Sequence, residues 1–292
     1  MPVPVRVALD TDIGDDIDDA FALALASLSP ELELKAVTTV YGDARARAEL
    51  AARLLGALGR DDVPVAVGAS HPLVGEAPNR RPTYYEGLKG AEGRSARIAG
   101  VSAIDLLEEL VEAGEIDVLV TVGPLTNAAL LFLKRPDLAG RVRLVSMCGA
   151  FTINTAEYNV KCDPEAASRV LAAPCDKLLV GLDVTLKCRM SREMVEALYG
   201  LGEEYARVLS SYTRVWMERS GRLPILHDPL AVAAVFAPDL VRAEPARVEV
   251  ELAGRYTRGY TVVVGGEPNA RVCRDVDAER FLKLFAERVL RA

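Results

Sequence analysis

The sequence runs to 292 residues, half of them hydrophobic and 26% charged, with a formal net charge of −7. That length suffices for one large α/β domain or two small ones. The acidity and the absence of a Lys/Arg run exclude a nucleic acid polymer as partner. No apolar run approaches the roughly 18–20 residues of a membrane span. The opening MPVPVRVALD has no basic n-region and no separate apolar h-region, so a cytoplasmic chain without a signal peptide is expected. From there strands and helices alternate. Short, often β-branched apolar runs predict strands at Val5–Asp10, Leu32–Val40, Val63–Val67, Asp117–Val122, Val142–Met147 and Lys177–Asp183. Helical patterns fall between them at Asp18–Leu28, Ala44–Leu58, Ser102–Ala113, Asn127–Lys134 and Pro164–Ala172. The alternation predicts an α/β fold: an open, mostly parallel sheet with right-handed crossovers, flanked by helices.

The last third reads differently. Glu203–Ser220 and Pro229–Phe236 are helical patterns, Val248–Leu252 and Tyr260–Val264 form a small antiparallel hairpin, and Asp277–Leu290 is a terminal amphipathic helix. No repeat, low-complexity tract or linker interrupts the chain, so a single domain over residues 1–292 is expected. The polar segment Asn79–Gly100, with Tyr84 and Tyr85, reads as a mobile loop over the site. Five cysteines without a CxxC pair fit neither a disulfide framework nor a zinc site, and are expected as reduced, mostly buried thiols.

The segment after the first strand carries the chemistry. Asp10, Asp12, Asp15, Asp16, Asp18 and Asp19 crowd into ten positions between a strand and a helix. Strand C-termini face the ligand crevice of an open parallel sheet. Carboxylates massed there repel one another unless a cation is present, and hard oxygen ligands suit Ca²⁺ or Mg²⁺. Helix capping accounts for Asp18 and Asp19 but not for Asp10 and Asp12. A strand ending in DxD also resembles the phosphatases of the haloacid dehalogenase type, whose signature is hhhDxDxT. Here Gly14 stands where that signature has Thr.

The sequence more closely resembles the inosine–uridine nucleoside hydrolase family. Its opening DxDPGxDDA is matched by Asp10-Thr11-Asp12-Ile13-Gly14 and Ile17-Asp18-Asp19-Ala20, with Asp15 and Asp16 extra and Ile13 in place of Pro. Further matches follow in order: VTTVYGD (residues 37–43), with Asp43 where Asn is usual; VTVGPLTNAAL (120–130); MCGAF (147–151); AEYNVKCDPEAA (156–167); GLDVT (181–185); and HDPLA (227–231). The resemblance implies Ca²⁺-dependent hydrolysis of the N-glycosidic bond of a ribonucleoside. It implies Asp12, Asp19, Asp228 and the Val122 carbonyl as ligands of one Ca²⁺, with Asp16 as a substitute for Asp19 left open by the insertion. Asp12 is implied as general base and His227 as acid to the leaving base. Asp18, Asp43, Asn154, Glu157 and Asn159 are implied to hold the substrate. Thr126 and Asn127 are expected to cap the helix after the GPLTN turn. A homodimer or homotetramer acting in nucleoside salvage is the family's habit. A calcium-dependent ribonucleoside-binding protein without turnover is the alternative, since a fold does not fix a function.

Overall fold

A computed structural model of the chain describes residues 3–89 and 91–291. Met1, Pro2, Gly90 and Ala292 therefore lie outside the described residues, Gly90 within the segment expected as a loop. Ten strands form one sheet: β1 (Val5–Thr11), β2 (Leu32–Thr39), β3 (Val65–Val67), β4 (Ile98–Ser102), β5 (Val118–Thr121), β6 (Arg143–Met147), β7 (Lys177–Val180), β8 (Val241–Val250), β9 (Thr261–Val264) and β10 (Ala270–Val276). Their order is β4-β3-β2-β1-β5-β6-β7-β10-β8-β9. Pairing is parallel from β4 through β10, and antiparallel where β8 joins β10 and β9 joins β8.

The helices are α1 (Asp18–Leu28), α2 (Ala44–Ala57), α3 (Ala103–Glu112), α4 (Thr126–Lys134), α5 (Tyr158–Cys162), α6 (Pro164–Ala172), α7 (Leu182–Thr185), α8 (Arg192–Gly200), α9 (Glu204–Ser220), α10 (His227–Phe236) and α11 (Ala278–Phe285). Residues of α1, α2, α9, α10 and α11 pack on one face of the sheet, and those of α3, α4 and α6 on the other. In β1, Val7 and Leu9 enter the first core and Ala8 the second. A strand buried on both faces has no use for polar alternation, and this is why β1 and β5 read as plain apolar runs.

Helices α5, α7 and α8 were not expected, and several strands differ from the sequence reading. β4 and β10 were not expected, and β8 begins at Val241 rather than Val248. All belong to the sheet's outer parts, where side chains such as Arg242, Glu244, Arg247 and Glu249 alternate with buried ones and form ion pairs along the strand. Half-solvated strands of this kind lack the apolar run used to find the inner ones. The predicted strand Lys177–Asp183 stops at Val180, and its end turns into α7.

The segment Asn79–Gly100 is not one mobile loop. Tyr84 is fully buried and its ring lies 5.2 Å from that of Tyr212 on α9, which is also buried. The Tyr84 N–H donates to the Gly14 carbonyl at 2.9 Å, a 3₁₀ turn follows at Tyr85–Leu88, and the segment ends in β4. Gly14 has φ +130°, and a Cβ there would lie 2.3 Å from the Pro82 side chain, so only glycine admits this latch. Among the described residues no helix is long and apolar enough to cross a membrane.

Candidate active site

β1 ends between β2 and β5, and the chain then crosses the sheet edge before entering α1. The carboxylates of the acidic segment are thereby divided among different surroundings. Asp10, still in β1, is fully buried beneath the site. Its Oδ1 accepts from the Thr38 hydroxyl at 2.6 Å and from Asn127 Nδ2 at 2.7 Å, while its Oδ2 has no partner. Burial pushes this carboxyl up to about 7 despite those two donors. Asp12 follows at the strand's end and faces a cavity of about 320 Å³.

Asp18 and Asp19 occupy the first turn of α1, and Asp228 the first turn of α10. These two helices pack against each other at their N-termini, and the Asp228 N–H donates to Asp18 Oδ2 at 3.2 Å. One carboxylate oxygen from each of Asp18, Asp19 and Asp228 lies within 4.8 Å of the other two. Burial raises all three carboxyls well above their ordinary range, and mutual repulsion with Asp12 adds to it. Helix N-termini ease the charge by a fraction of a kcal/mol to about 2 kcal/mol each, too little to hold such a group ionised alone.

The insertion takes a different course. Asp15 also lines the cavity but is taken up by cations, accepting from Arg47 Nη2 and Arg80 Nη1, both at 2.8 Å, and from the Thr83 hydroxyl at 2.7 Å. Burial works to raise this carboxyl, but the two arginines and Thr83 outweigh it and bring it down to about 2. Asp16 lies at the rim, where Oδ1 accepts from the Ile17 N–H at 2.7 Å. Of Asp16 and Asp19, it is Asp19 that joins Asp18 and Asp228.

Arg47 on α2 escaped the sequence reading, because a lone arginine in a helical pattern looks like an exposed face. Its side chain is buried, donating to the carbonyls of Asp12, Ile13 and Tyr41 besides the Asp15 carboxylate. It fixes the backbone on both sides of Asp12 and offsets part of the burial that raises the Asp12 and Asp19 carboxyls. Tyr41, which it holds, has a left-handed backbone with φ 68°, sustained by this bonding and by its neighbour Gly42.

Val122, immediately after β5, lines the cavity. The strand approaches Asp12 closely because the next residue is Gly123: a Cβ there would lie 2.8 Å from the Asp12 nitrogen. Asn159 Nδ2 donates to the Val122 carbonyl at 2.9 Å and to the Met147 carbonyl at 3.0 Å. Glu157 caps α5 and accepts from the backbone N–H groups of Asn159, Gly149 and Val160 at 2.7–3.1 Å. Burial raises it, against the pull of those donors. Both side chains line the cavity.

Thr126 and Asn127 do not cap α4, whose N-cap is Leu125. Thr126 instead donates to Asp163 at 2.7 Å, and Asn127 braces Asp10 and Ala69. They tie strand ends together beneath the site. Two expected substrate residues lie elsewhere. Asp43 caps α2 through the Ala46 N–H at 3.0 Å and faces Arg81 at 3.5 Å. Asn154 is exposed on the segment between β6 and α5, outside the cavity lining. That segment is held by Asp183 of the GLDVT motif, which accepts from the N–H groups of Phe151 and Thr152.

His227 lies on the cavity wall beside Asp228, with Nδ1 2.6 Å from the Thr185 hydroxyl. Burial first, then the charges of Arg189 and Arg222, depress its imidazole to about 4. At neutral pH the ring is therefore uncharged in this state and acts as a hydrogen-bonding group.

The floor thus gathers four buried carboxylates and a backbone carbonyl, with Arg47 as buried countercharge. An all-oxygen set with excess negative charge fits a hard divalent cation, and no cysteine or histidine in it favours a softer one. The thiols also stand apart from this set: all five cysteines are free, and four are buried.

Residues 7–283 match the family model described as inosine-uridine preferring nucleoside hydrolase. The chain is 35% identical to the pyrimidine-specific ribonucleoside hydrolase RihA of Salmonella gallinarum, over 97% of each chain. Among solved structures it resembles a plant nucleoside hydrolase, PpNRh1, with TM-score 0.88 and 29% identity over 99% of this chain and 100% of that one. It also resembles the purine-preferring ribonucleoside hydrolase from Gardnerella vaginalis, with TM-score 0.82 and 27% identity over 98% of each.

Proposed function

This chain belongs to the inosine-uridine preferring nucleoside hydrolase family, and from that premise we propose that it is a calcium-dependent ribonucleoside hydrolase releasing ribose and free base. Family membership displaces the phosphatase reading. The observation that carries the proposal is the meeting of Asp18 and Asp19 with Asp228, more than 200 positions later, on the floor of a cavity that Asp12 and His227 also line. Carboxylates at two helix starts brought together from both ends of a chain serve a ligand, since the fold gains nothing from their repulsion.

Asp12, Asp19, Asp228 and the Val122 carbonyl are the groups to hold Ca²⁺, which supplies positive charge that orders sugar hydroxyls and acidifies water. Asp12, fixed by Arg47 through the adjoining backbone, accepts the proton of the attacking water. Asp18 accepts a hydrogen bond from a ribose hydroxyl. Glu157 and Asn159, each locked by backbone partners, present their remaining polar atoms to the rest of the sugar. The buried carboxylates favour the positive charge that develops on the ribose as the base departs. His227 donates a hydrogen bond to the leaving base. The single-domain, cytoplasmic and homo-oligomeric setting of a salvage enzyme accompanies this reading.

The test is release of ribose and base from uridine and inosine, both included because the relatives are named for pyrimidine and purine preferences. Turnover that stops with EDTA and returns with Ca²⁺ supports the proposal. Ca²⁺-dependent nucleoside binding without base release would assign the chain to the non-catalytic alternative.

A further inference from the structure

Beside the main cavity is a smaller chamber of about 60 Å³, and Asp16 and His227 belong to the walls of both. Arg189, Arg222, Trp216, Leu223 and Ile225 complete its lining. Short antiparallel pairing sets the first: Met190 N–H donates to the Pro224 carbonyl at 2.9 Å, Leu226 N–H donates to the Cys188 carbonyl at 2.8 Å, and Arg189 pairs with Ile225. Ile225 is two residues before His227, so the pairing holds Arg189 against the entry to α10. Gly221, left-handed at φ 66°, ends α9 and turns the chain into Arg222. Trp216 is buried on α9 behind them.

Among the described residues neither guanidinium forms a hydrogen bond or ion pair. Arg47 and Arg53, by contrast, are each bonded to several acceptors. Two like charges beside the His227 imidazole, with the Asp16 carboxylate across the chamber attracting Arg222 but forming no hydrogen bond or ion pair with it, contribute little to the fold. They are donor-only groups with rigid forks, and the chamber they line shares the His227 wall of the main cavity.

We propose that Arg189 and Arg222 are the leaving-base residues: their guanidiniums hydrogen-bond the carbonyl edge of the base and stabilise the negative charge it acquires as the glycosidic bond breaks. This rests on the hydrolase reading above. In the step, the bond from C1′ to the base nitrogen breaks with its electron pair staying on the base. Water forms the new C1′–O bond and its proton passes to Asp12, the base takes a proton from solvent, and Asp12 returns its proton to solvent, so that nucleoside and water give ribose and neutral base with no net proton uptake. Donor-only guanidiniums match the carbonyl oxygens of uracil and hypoxanthine. They do not match the exocyclic amino groups of cytosine and adenine.

Two measurements test it on the holoenzyme and its Arg189→Gln and Arg222→Gln variants. The first compares kcat/KM for uridine with that for p-nitrophenyl riboside, whose phenolate departs without help. A buried donor to a developing anion is worth about 10²–10³-fold. These arginines are exposed to solvent and salt, which lowers the expectation to about tenfold for each on uridine, with less than about threefold on the phenolate substrate. Trp216, the chain's single tryptophan, supplies the second. Its fluorescence should respond to uracil more strongly than to cytosine, and both variants should lose that preference. Equal losses on the two substrates, or unchanged kinetics and unchanged uracil binding, would overturn the proposal while leaving the hydrolase reading intact. A wild-type protein that binds uracil through these arginines but hydrolyses neither substrate would overturn the hydrolase reading and the leaving-group role with it.

Discussion

Replacing Arg47 with Met should destabilise the protein by about 4 kcal/mol in EDTA. The aliphatic stem is kept, so the loss comes from the guanidinium. It donates to four oxygens: the carbonyls of Asp12, Ile13 and Tyr41, and the Asp15 carboxylate. At a net value of about 1 kcal/mol for each hydrogen bond the sum is about 4 kcal/mol. Removal of one partner from a buried ion pair costs about 3–5 kcal/mol by an independent route, and the two figures agree. The carbonyls lie in a turn with little room to reach water, and the repulsion among Asp12, Asp18 and Asp19 loses its buried countercharge. Arg47→Lys should recover less than half, because a point charge on a flexible stem cannot reach acceptors on both sides of Asp12. The assay is urea unfolding followed by circular dichroism at pH 7. An Arg47→Met protein within about 1 kcal/mol of wild type would refute the view that this residue holds the turn, and with it the account of how Asp12 is positioned.

Four further outcomes follow from the site. Asp228→Ala should abolish Ca²⁺ binding in calorimetric titration with the fold retained, and wild-type affinity would remove Asp228 from the ligand set. The Asp15 carboxyl, held at about 2 against an ordinary 3.8, contributes about 2 kcal/mol. Its folded pKa is depressed, so this stability is fully present above about pH 4 and is lost as the pH falls toward 2. Asp15→Asn should therefore narrow the gap to wild type only on the acid side, and a gap that stays constant from pH 7 to pH 3 counts against the Arg47–Asp15–Arg80 arrangement. 2′-Deoxyuridine and 2′-deoxyinosine should be hydrolysed about 10⁴-fold less efficiently than the ribonucleosides, because polar groups built for the hydroxyl are left unpaired; comparable kcat/KM values would contradict the sugar-binding role of Asp18. His227→Ala should slow uridine hydrolysis more than that of p-nitrophenyl riboside, and equal losses would assign the imidazole to positioning alone.

The sequence by itself determined the inner half of the molecule. The strands buried on both faces over most of their length, β1 and β5 to β7, carry apolar runs, so they are visible without a structure. The order of DTDIG, GPLTN, AEYN and HDPLA along the chain was equally legible, because each motif sits at or just before the start of a helix. What the tertiary structure alone decided is which polar side chains face the cavity. Six aspartates look alike in sequence. Asp10 is turned under the site to Thr38 and Asn127, and Asp15 is neutralised by Arg47 and Arg80, while Asp18 and Asp19 meet Asp228. Arg47, Arg189 and Arg222 carry no local signal, since a buried or unpaired arginine is defined by partners distant in the chain. Tyr84 gives the same lesson in reverse: in a polar segment rich in glycine it reads as a lid, and only the packing of Tyr212 and the open backbone at Gly14 draw it into the core. Periodicity records whether a residue's face is wet or dry, whereas the role of a charged group is set by its nearest opposite charge, and that neighbour is chosen by the fold.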